Sequence, residues 1–373
     1  MHIAIDHRLS AYRAGGIPQY TAQLAAALAE LLAPDERLTL IEHRRAALPA
    51  HSGEARLARR RVWTPPHHRW EQILLPLELA GLRADVLHFP DFIPLFRLRT
   101  PAVITVHDLA FLRFPEILDD AARRYYDQIG RAVRHAAAII AVSESTRRDL
   151  LELLDVDAAR ISVIAEAAAP HFRRLNLPPD AQRCINGHLL RADDFALFVG
   201  TIEPRKNLPT LLRALHHWMA HAPGEAPTLV VAGPRGWLDA PVFALVRELR
   251  LDEQVRFIGG VSSEDLVWLY NACRVYLHPE LYSGFGLPIL EAMQCGAPVI
   301  AADAASLPEV AGTAGLLLPP LDVAAWAETW RRVWWDAAVR ARLRAAGLAQ
   351  AARFSWPRAA AATLAVYRQA SLA

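Results

Sequence analysis

The sequence predicts an α/β protein made of two doubly wound parallel-sheet domains, and three observations predict it. Short apolar runs alternate with helical patterns along the whole chain. The alternation breaks once, near residues 167–193. The length of 373 residues is long for one core and comfortable for two. Repeated strand–helix alternation calls for parallel sheets with helices on both faces. The predicted organisation is an N-terminal Rossmann-like domain over residues 1–169, a linker over 170–192, and a C-terminal Rossmann-like domain over 193–350. A terminal helix over 351–373 is expected to pack back towards the N-terminal domain. Two such sheets joined by a linker are expected to face each other across a cleft.

The first half opens on the strand "HIAID", followed by the helix "IPQYTAQLAAALAELL" with Pro18 near its first turn. "RLTLIEH", "ADVLHF", "AVITVHD" and "AAIIAVS" read as strands, the last leading into a helix that Ser143 or Ser145 can cap. "RISVIAE" closes this half. The stretch 167–193 contains Pro-Pro and no clean period, which reads as linker. The second half restarts with the buried strand "FALFVG", then a loop and a helix from about Asn207. "TLVVAG", "VRFIGG" and "RVYLHP" are strands, and "SSEDLVWLYNAC" is a helix entered through serines and acids. "ELYSGFGLPILEAMQCGAPVIAAD" reads as loop, helix, a stop at Gly296 and a strand. "GLLLPP" is a last strand and "FSWPRAAAATLAVYRQA" a terminal helix.

Composition narrows the function. A hydrophobic fraction of 53% and a charged fraction of 21% describe a globular chain. The formal net charge of +2 gives no global attraction to nucleic acid. The three cysteines are scattered, with no metal-ligand spacing, so reduced thiols and a cytoplasmic setting are expected. No run approaches the roughly 18 apolar residues of a membrane span. Arg44, Arg45, Arg56, Arg59, Arg60 and Arg61 cluster in a loop-like region near Trp63 and Trp70. Such a cluster reads either as a solvated loop or as peripheral contact with the cytoplasmic face of the inner membrane.

Ligands of doubly wound sheets bind outside the carboxyl ends of strands. Four stretches fall there. Gly15 and Gly16, before the helix opened by Pro18, let backbone approach a ligand closely, or simply make a turn. His107 and Asp108 follow a strand; a histidine so placed is either a hydrogen-bonded structural residue or a functional one. "GTIEPRKN" holds Lys206, the single lysine among 41 basic residues, beside Arg205. Arginine replaces lysine wherever either serves, but an ammonium touching a phosphate from one direction is not interchangeable with a planar guanidinium. Two adjacent cations suit a diphosphate; the alternative is a surface salt bridge with Glu203. No Walker spacing is present. Lastly, Gly284 and Gly286 open a helix near Leu287 and Pro288. Glu291, one turn in, either accepts from a ribose diol or favours the positive helix end. Together these suggest a nucleotide with a diphosphate and a further group.

"RAGGIPQYTAQL", "TVHDLAF", "AIIAVSESTRRDL", "LFVGTIEPRKNLPTLL", "VRFIGGVSSEDLVWLY" and "GFGLPILEAMQCGAPVIAAD" resemble the retaining glycosyltransferases of family 4, which have the GT-B fold. The resemblance covers nearly the whole chain and is specific in the combination of its later stretches. Its opening and His-Asp stretch look most like bacterial mannosyl- or rhamnosyltransferases of surface polysaccharide synthesis. The resemblance implies that Gly15 and Gly16 approach the donor diphosphate and that His107 meets the donor sugar near its anomeric centre. Asp108 would lie on the acceptor side. Arg205 and Lys206 would hold the leaving diphosphate. The backbone of Gly284, Phe285, Gly286 and Leu287 would contact sugar hydroxyls and phosphate, Glu291 the ribose, and Val261 the base. It implies no cofactor and no divalent metal, the nucleotide sugar being a substrate. One departure stands out: the family's usual glutamate eight residues before Glu291 is here Ser283, and Glu280 is the nearest acid upstream. The stretch "IAEAAAPHF" also lacks the family's usual Asn-Gly or Glu-Gly.

The expected function is therefore a retaining, metal-independent hexosyltransferase. It would move mannose from GDP-mannose to a saccharide or lipid-linked saccharide acceptor. The rivals are a nucleotide-sugar epimerase on a similar fold and a non-catalytic sugar-nucleotide-binding subunit.

Overall fold

The computed structural model describes residues 1–12, 15–46, 57–115, 120–222, 224 and 227–372. Arg13 and Ala14, next to the predicted Gly15–Gly16 site, and Arg56 of the arginine cluster lie outside these residues. The chain divides into two units, Met1–Ala167 with Ser355–Ala373, and Ala168–Phe354.

The first unit runs β1 (His2–Asp6), α1 (Gly16–Leu31), β2 (Arg37–His43), β3 (Leu57–Val62), α2 (Glu71–Glu78), β4 (Val86–Phe89) and β5 (Ala102–Val106). Then come α3 (Ala110–Arg113), α4 (Asp120–Tyr126), α5 (Ile129–His135), β6 (Ala138–Ala141), α6 (Glu144–Leu153) and β7 (Ile161–Val163). The seven strands form one parallel sheet in the order β3-β2-β1-β4-β5-β6-β7. Its central strands are buried on both faces, as a sheet covered by helices must be; Ile3, Val103, Ile104 and Ile139 are fully buried. Ser143 caps α6, accepting from the Thr146 amide.

The second unit runs β8 (Gln182–Ile185), β9 (His188–Arg191), β10 (Phe195–Val199), α7 (Leu208–His221), β11 (Thr228–Ala232), α8 (Ala240–Glu248), β12 (Val255–Gly259) and α9 (Ser263–Ala272). It continues through β13 (Val275–His278), α10 (Leu287–Gln294), β14 (Val299–Ala302), α11 (Leu307–Ala311), β15 (Leu316–Leu318), α12 (Val323–Trp335) and α13 (Ala337–Ala351). Six strands pair in parallel in the order β12-β11-β10-β13-β14-β15. Helices α7 and α12 pack through Trp218 and Trp330, whose rings meet edge to face at 5.7 Å.

Two boundaries differ from the sequence reading. The predicted linker is not featureless: β8 and β9 form an antiparallel hairpin within the second unit. Asn186, left-handed at φ 48°, turns it and donates to the carbonyls of Ile258 and Gly260. Hairpins this short carry too few alternating residues to register as a period. The C-terminal unit also ends at Phe354 rather than 350, because α13 continues to Ala351. The chain closes with α14 (Trp356–Ala370), which belongs to the first unit. There it packs on α1, and Tyr367 bonds the buried His88 at 2.6 Å. The arginine cluster is likewise not one loop, since Arg59, Arg60 and Arg61 lie in the edge strand β3.

Candidate active site

In each of the two main sheets the strands are parallel, so their carboxyl ends share one edge, and the predicted residues collect along it. In the first unit His107 directly follows β5. Its Nδ1 lies 2.7 Å from Oε1 of Glu166, and the Tyr20 ring stands edge-on at 4.8 Å. Burial disfavours the imidazolium, but the hydrogen bond and charge of Glu166 outweigh it and raise the His107 pKa. The other ring nitrogen, Nε2, is buried with no hydrogen-bond partner. A polar atom left so in a protein interior points to a missing partner. Asp108 is committed locally: its carboxylate accepts from the Ala110 amide at 2.9 Å. Gly15 ends the loop before α1, and a side chain at Gly15 or Gly16 would meet nothing within 4 Å, so packing does not demand glycine there.

The same edge holds a cavity of about 260 Å³ whose lining includes His67, Arg69, Glu71, Gln72, Arg124 and Tyr125. It adjoins a smaller recess bounded by Asp6, Arg8 and Asp91. Arg8 is buried between Asp6, at 2.6 Å, and Glu71, and His67 pairs with Asp91.

In the second unit the loop after β10 is held by backbone on both sides. The Gly200 amide donates to Ala232, and Ile202 to Pro234. The chain after β11 passes so close that a Cβ at Gly233 would lie 2.0 Å from the Gly200 carbonyl oxygen. A single 3₁₀ turn, Pro204–Lys206, then presents the two cations. Neither is a lone surface charge. Lys206 Nζ donates to Glu280 Oε1 at 2.8 Å, and Arg205 Nη1 donates to the same oxygen. Arg205 also donates to the Tyr282 carbonyl at 2.7 Å and to Glu203 at 3.0 Å. Glu280 is only 1% exposed. Burial opposes its charge, but Lys206, His278 and Arg205 prevail and hold its carboxyl well below the usual range. Burial lowers the pKa of His278, which lies 3.0 Å from the other oxygen of Glu280. The salt bridge to Glu203 read from the sequence thus exists, but the dominant partner is Glu280, 74 positions further along the chain from Lys206.

The loop after β13 is fastened by Ser306, whose hydroxyl donates to the carbonyls of Ser283 and Phe285. Gly286 then caps α10 at φ 100°, a left-handed backbone that calls for glycine, and a Cβ there would also press on the Leu307 side chain at 2.9 Å. Gly284 and Phe285 lead into this turn, and Leu287 is the first residue of α10. Glu291 faces inward, where it accepts from the Tyr270 hydroxyl at 3.1 Å. Burial pushes its pKa up to about 7. Val261 is half-buried in the loop between β12 and α9. Thus Arg205, Lys206, Glu280 and the Ser283–Leu287 turn form one cluster in the second unit, while His107, Glu166 and Gly15–Gly16 belong to the first. Sequence reasoning missed Glu166. Its signal was an acid just past the strand end in "RISVIAE", the same position type that singled out His107.

Among the described residues no group of three or more His, Cys, Asp or Glu side chains could hold a metal ion. Nor is any helix there long and apolar enough to cross a membrane.

Two parallel-sheet Rossmann-like units, the second with a cation loop and a glycine-capped helix, are the make-up of the GT-B fold. The chain matches the family "Glycosyltransferase Family 4" over residues 14–167 and "Glycosyl transferases group 1" over residues 187–350. It is 35% identical over 294 residues to the O-antigen chain mannosyltransferase B of Escherichia coli, covering 78% of this chain and 76% of that one. It is 29% identical to the serotype-specific mannosyltransferase WbdA of Escherichia coli, over 75% of this chain but only 36% of that longer protein. The fold matches sucrose-phosphate synthase from Thermosynechococcus elongatus with a TM-score of 0.75 at 22% identity, covering 99% and 98% of the two chains. The chain belongs to the family 4 glycosyltransferases of the GT-B fold.

Proposed function

We propose that the protein is a retaining, metal-independent mannosyltransferase of polysaccharide synthesis. It takes mannose from GDP-mannose and gives it to a saccharide or lipid-linked saccharide acceptor. The observation that carries the reading is the Arg205–Lys206 pair, preset on one buried carboxylate at the sheet edge where such folds bind ligands. The mannosyltransferases among the similar proteins favour the sugar.

In this reading Arg205 and Lys206 take the donor diphosphate and stabilise the charge that grows on it as it leaves. Glu280 orients both cations and reduces their net charge. The amides of Phe285 to Leu287 meet the sugar and phosphate, Glu291 the ribose, and Val261 the base. In the first unit Gly15 and Gly16 leave space for the diphosphate, and His107 offers Nε2 to the donor sugar. The cavity beside Tyr125 takes the acceptor sugar, with an aromatic face and carboxylates for its hydroxyls. The acceptor oxygen attacks the anomeric carbon from the side the phosphate leaves. The carbon–oxygen bond to phosphate breaks as the new one forms, and the acceptor proton passes to the departing phosphate oxygen. Ser283 supplies one neutral hydrogen bond where a glutamate is usual.

The test is GDP release from GDP-mannose with and without a mannan-type acceptor, with and without EDTA, and product stereochemistry by NMR. The expected outcome is acceptor-dependent release, indifferent to EDTA, with the donor's anomeric configuration kept. Release without acceptor would make the protein an epimerase or hydrolase. Binding without release would make it a carrier subunit.

A further inference from the structure

The β8–β9 hairpin is fastened to a single loop of its unit. Asn186 and Gly187 turn it at φ 48° and 82°, both left-handed, as an Asn-Gly type I′ turn requires. Such a turn asks nothing of the asparagine side chain. Here that side chain reaches the loop after β12, where its Nδ2 donates to the Ile258 carbonyl at 2.7 Å and to the Gly260 carbonyl at 2.9 Å. Two arginines add to the hold. Arg183 of β8 pairs with Asp265 at 2.7 Å and Glu264 at 3.0 Å, in the first turn of α9. Arg256 of β12 donates to the Leu189 carbonyl of β9 at 3.1 Å. These bonds fall on both sides of Val261.

The loop has little else to steady it. Gly260 is exposed, and a Cβ at Gly259 or Gly260 would meet nothing within 4 Å. Two consecutive glycines leave the backbone unusually free. Yet Val261 presents an open peptide edge: among the described residues neither its amide nor its carbonyl has a hydrogen-bond partner. Strand β12 lies two places from β10, so this loop stands roughly 10 Å along the sheet edge from the Arg205–Lys206 turn. A nucleoside spans such a distance from its diphosphate to its base.

We propose that the hairpin sets the nucleobase site, with Asn186 as its positioning residue. Asn186 itself touches no substrate. By holding the carbonyls of Ile258 and Gly260 it fixes Val261 between them, and the open peptide edge meets the base without the loop first having to be ordered. The inference rests on the reading of Val261 as the base contact given above.

The experiment is calorimetry of GDP, UDP and inorganic pyrophosphate on the full chain, with hydrogen–deuterium exchange followed at residues 259–262. Wild-type protein is expected to prefer GDP to UDP and to protect this loop when GDP is bound. Asn186→Gly keeps a residue that suits the turn and removes the tether. Asn186→Asp also suits the turn but sets a carboxylate against two carbonyls. Both are expected to weaken GDP binding at least about tenfold, because the loop must then be ordered on binding. Their loop should exchange faster without ligand, and their preference for GDP over UDP should narrow. Pyrophosphate, which meets only Arg205 and Lys206, should bind as in the wild type. GDP held as tightly by both variants as by the wild type overturns the proposal and leaves the donor reading standing. So does an equal loss of GDP and pyrophosphate binding, since the hairpin then supports the whole unit. GDP bound without protection of residues 259–262 places the base elsewhere and overturns the Val261 assignment and the proposal together. A wild-type preference for UDP sinks the GDP-mannose reading alone, and the same tenfold loss, read on UDP, then upholds the hairpin.

Discussion

The two units use the same position, the carboxyl edge of a parallel sheet, for opposite kinds of charge. In the second unit Glu280 holds two cations, Arg205 and Lys206, while its third neighbour, His278, is buried with a lowered pKa. In the first unit Glu166 holds one imidazole, His107, whose charge depends on pH. A carboxylate between guanidinium and ammonium keeps its field at any working pH. A carboxylate beside an imidazole makes a field that a single proton removes. In the function proposed above, the fixed charge serves the diphosphate and the titratable contact serves the sugar.

The largest effect should come from removing the fixed charge. Lys206→Ala is expected to lower kcat at least about a hundredfold, the scale of losing one preorganised charge stabiliser. Thermal stability should change little, since Arg205 still pairs with Glu280. Lys206→Arg should also be impaired. Both cations already share one oxygen of Glu280, and a second planar guanidinium crowds that point. Steady-state kinetics and a melting curve for each variant decide it, and a fully active Lys206→Ala enzyme would remove this loop from the chemistry.

How much of this was legible follows from what a local pattern can carry. The strands around both sites are continuous apolar runs, and β1, β2 and β10 stand where the periodicity places them. Edge strand β3 was missed because its "LARRRV" faces solvent on one side and reads as charge. Lys206 and Arg205 stood out as residue types at a strand end. Their partner Glu280 was visible only as a misplaced acid near Ser283, because a pairing across 74 positions is written in sheet order β10-β13 and not in spacing. The same holds for His107 and Glu166, 59 positions apart.

A smaller effect tests the titratable half. Glu166→Gln keeps the shape but removes the strongest of the influences that raise the His107 pKa, leaving the weaker pull of Asp91 and Asp108 against burial. Protonated His107 should then be lost at lower pH than in the wild type. The alkaline limb of the kcat/KM profile should move to lower pH, and activity on that limb should fall about tenfold for each pH unit that it moves. Glu166→Asp should restore part of the limb. A profile that falls evenly at all pH values would mean that Glu166 only supports the fold.

The smallest effect belongs to Glu291, which resembles neither pair: it has no cation, only the Tyr270 hydroxyl, and burial raises its pKa to about 7. Raised above the usual carboxylate value of about 4.3, it favours the folded state at low pH, and that contribution fades as pH rises to about 7. Glu291→Gln should therefore melt higher than wild type at pH 8 and level with it near pH 4. A ribose diol donating to this carboxylate favours its ionised form, so donor binding near pH 7 should release a fraction of a proton. GDP-mannose is the right probe because its esterified phosphates carry no proton in this range. Calorimetry in buffers of different ionisation enthalpy should give a buffer-dependent binding heat for wild-type protein and less proton release for Glu291→Gln. Equal proton release from both would place the ribose elsewhere and leave Glu291 as a buried acid serving the packing of α10 on α9.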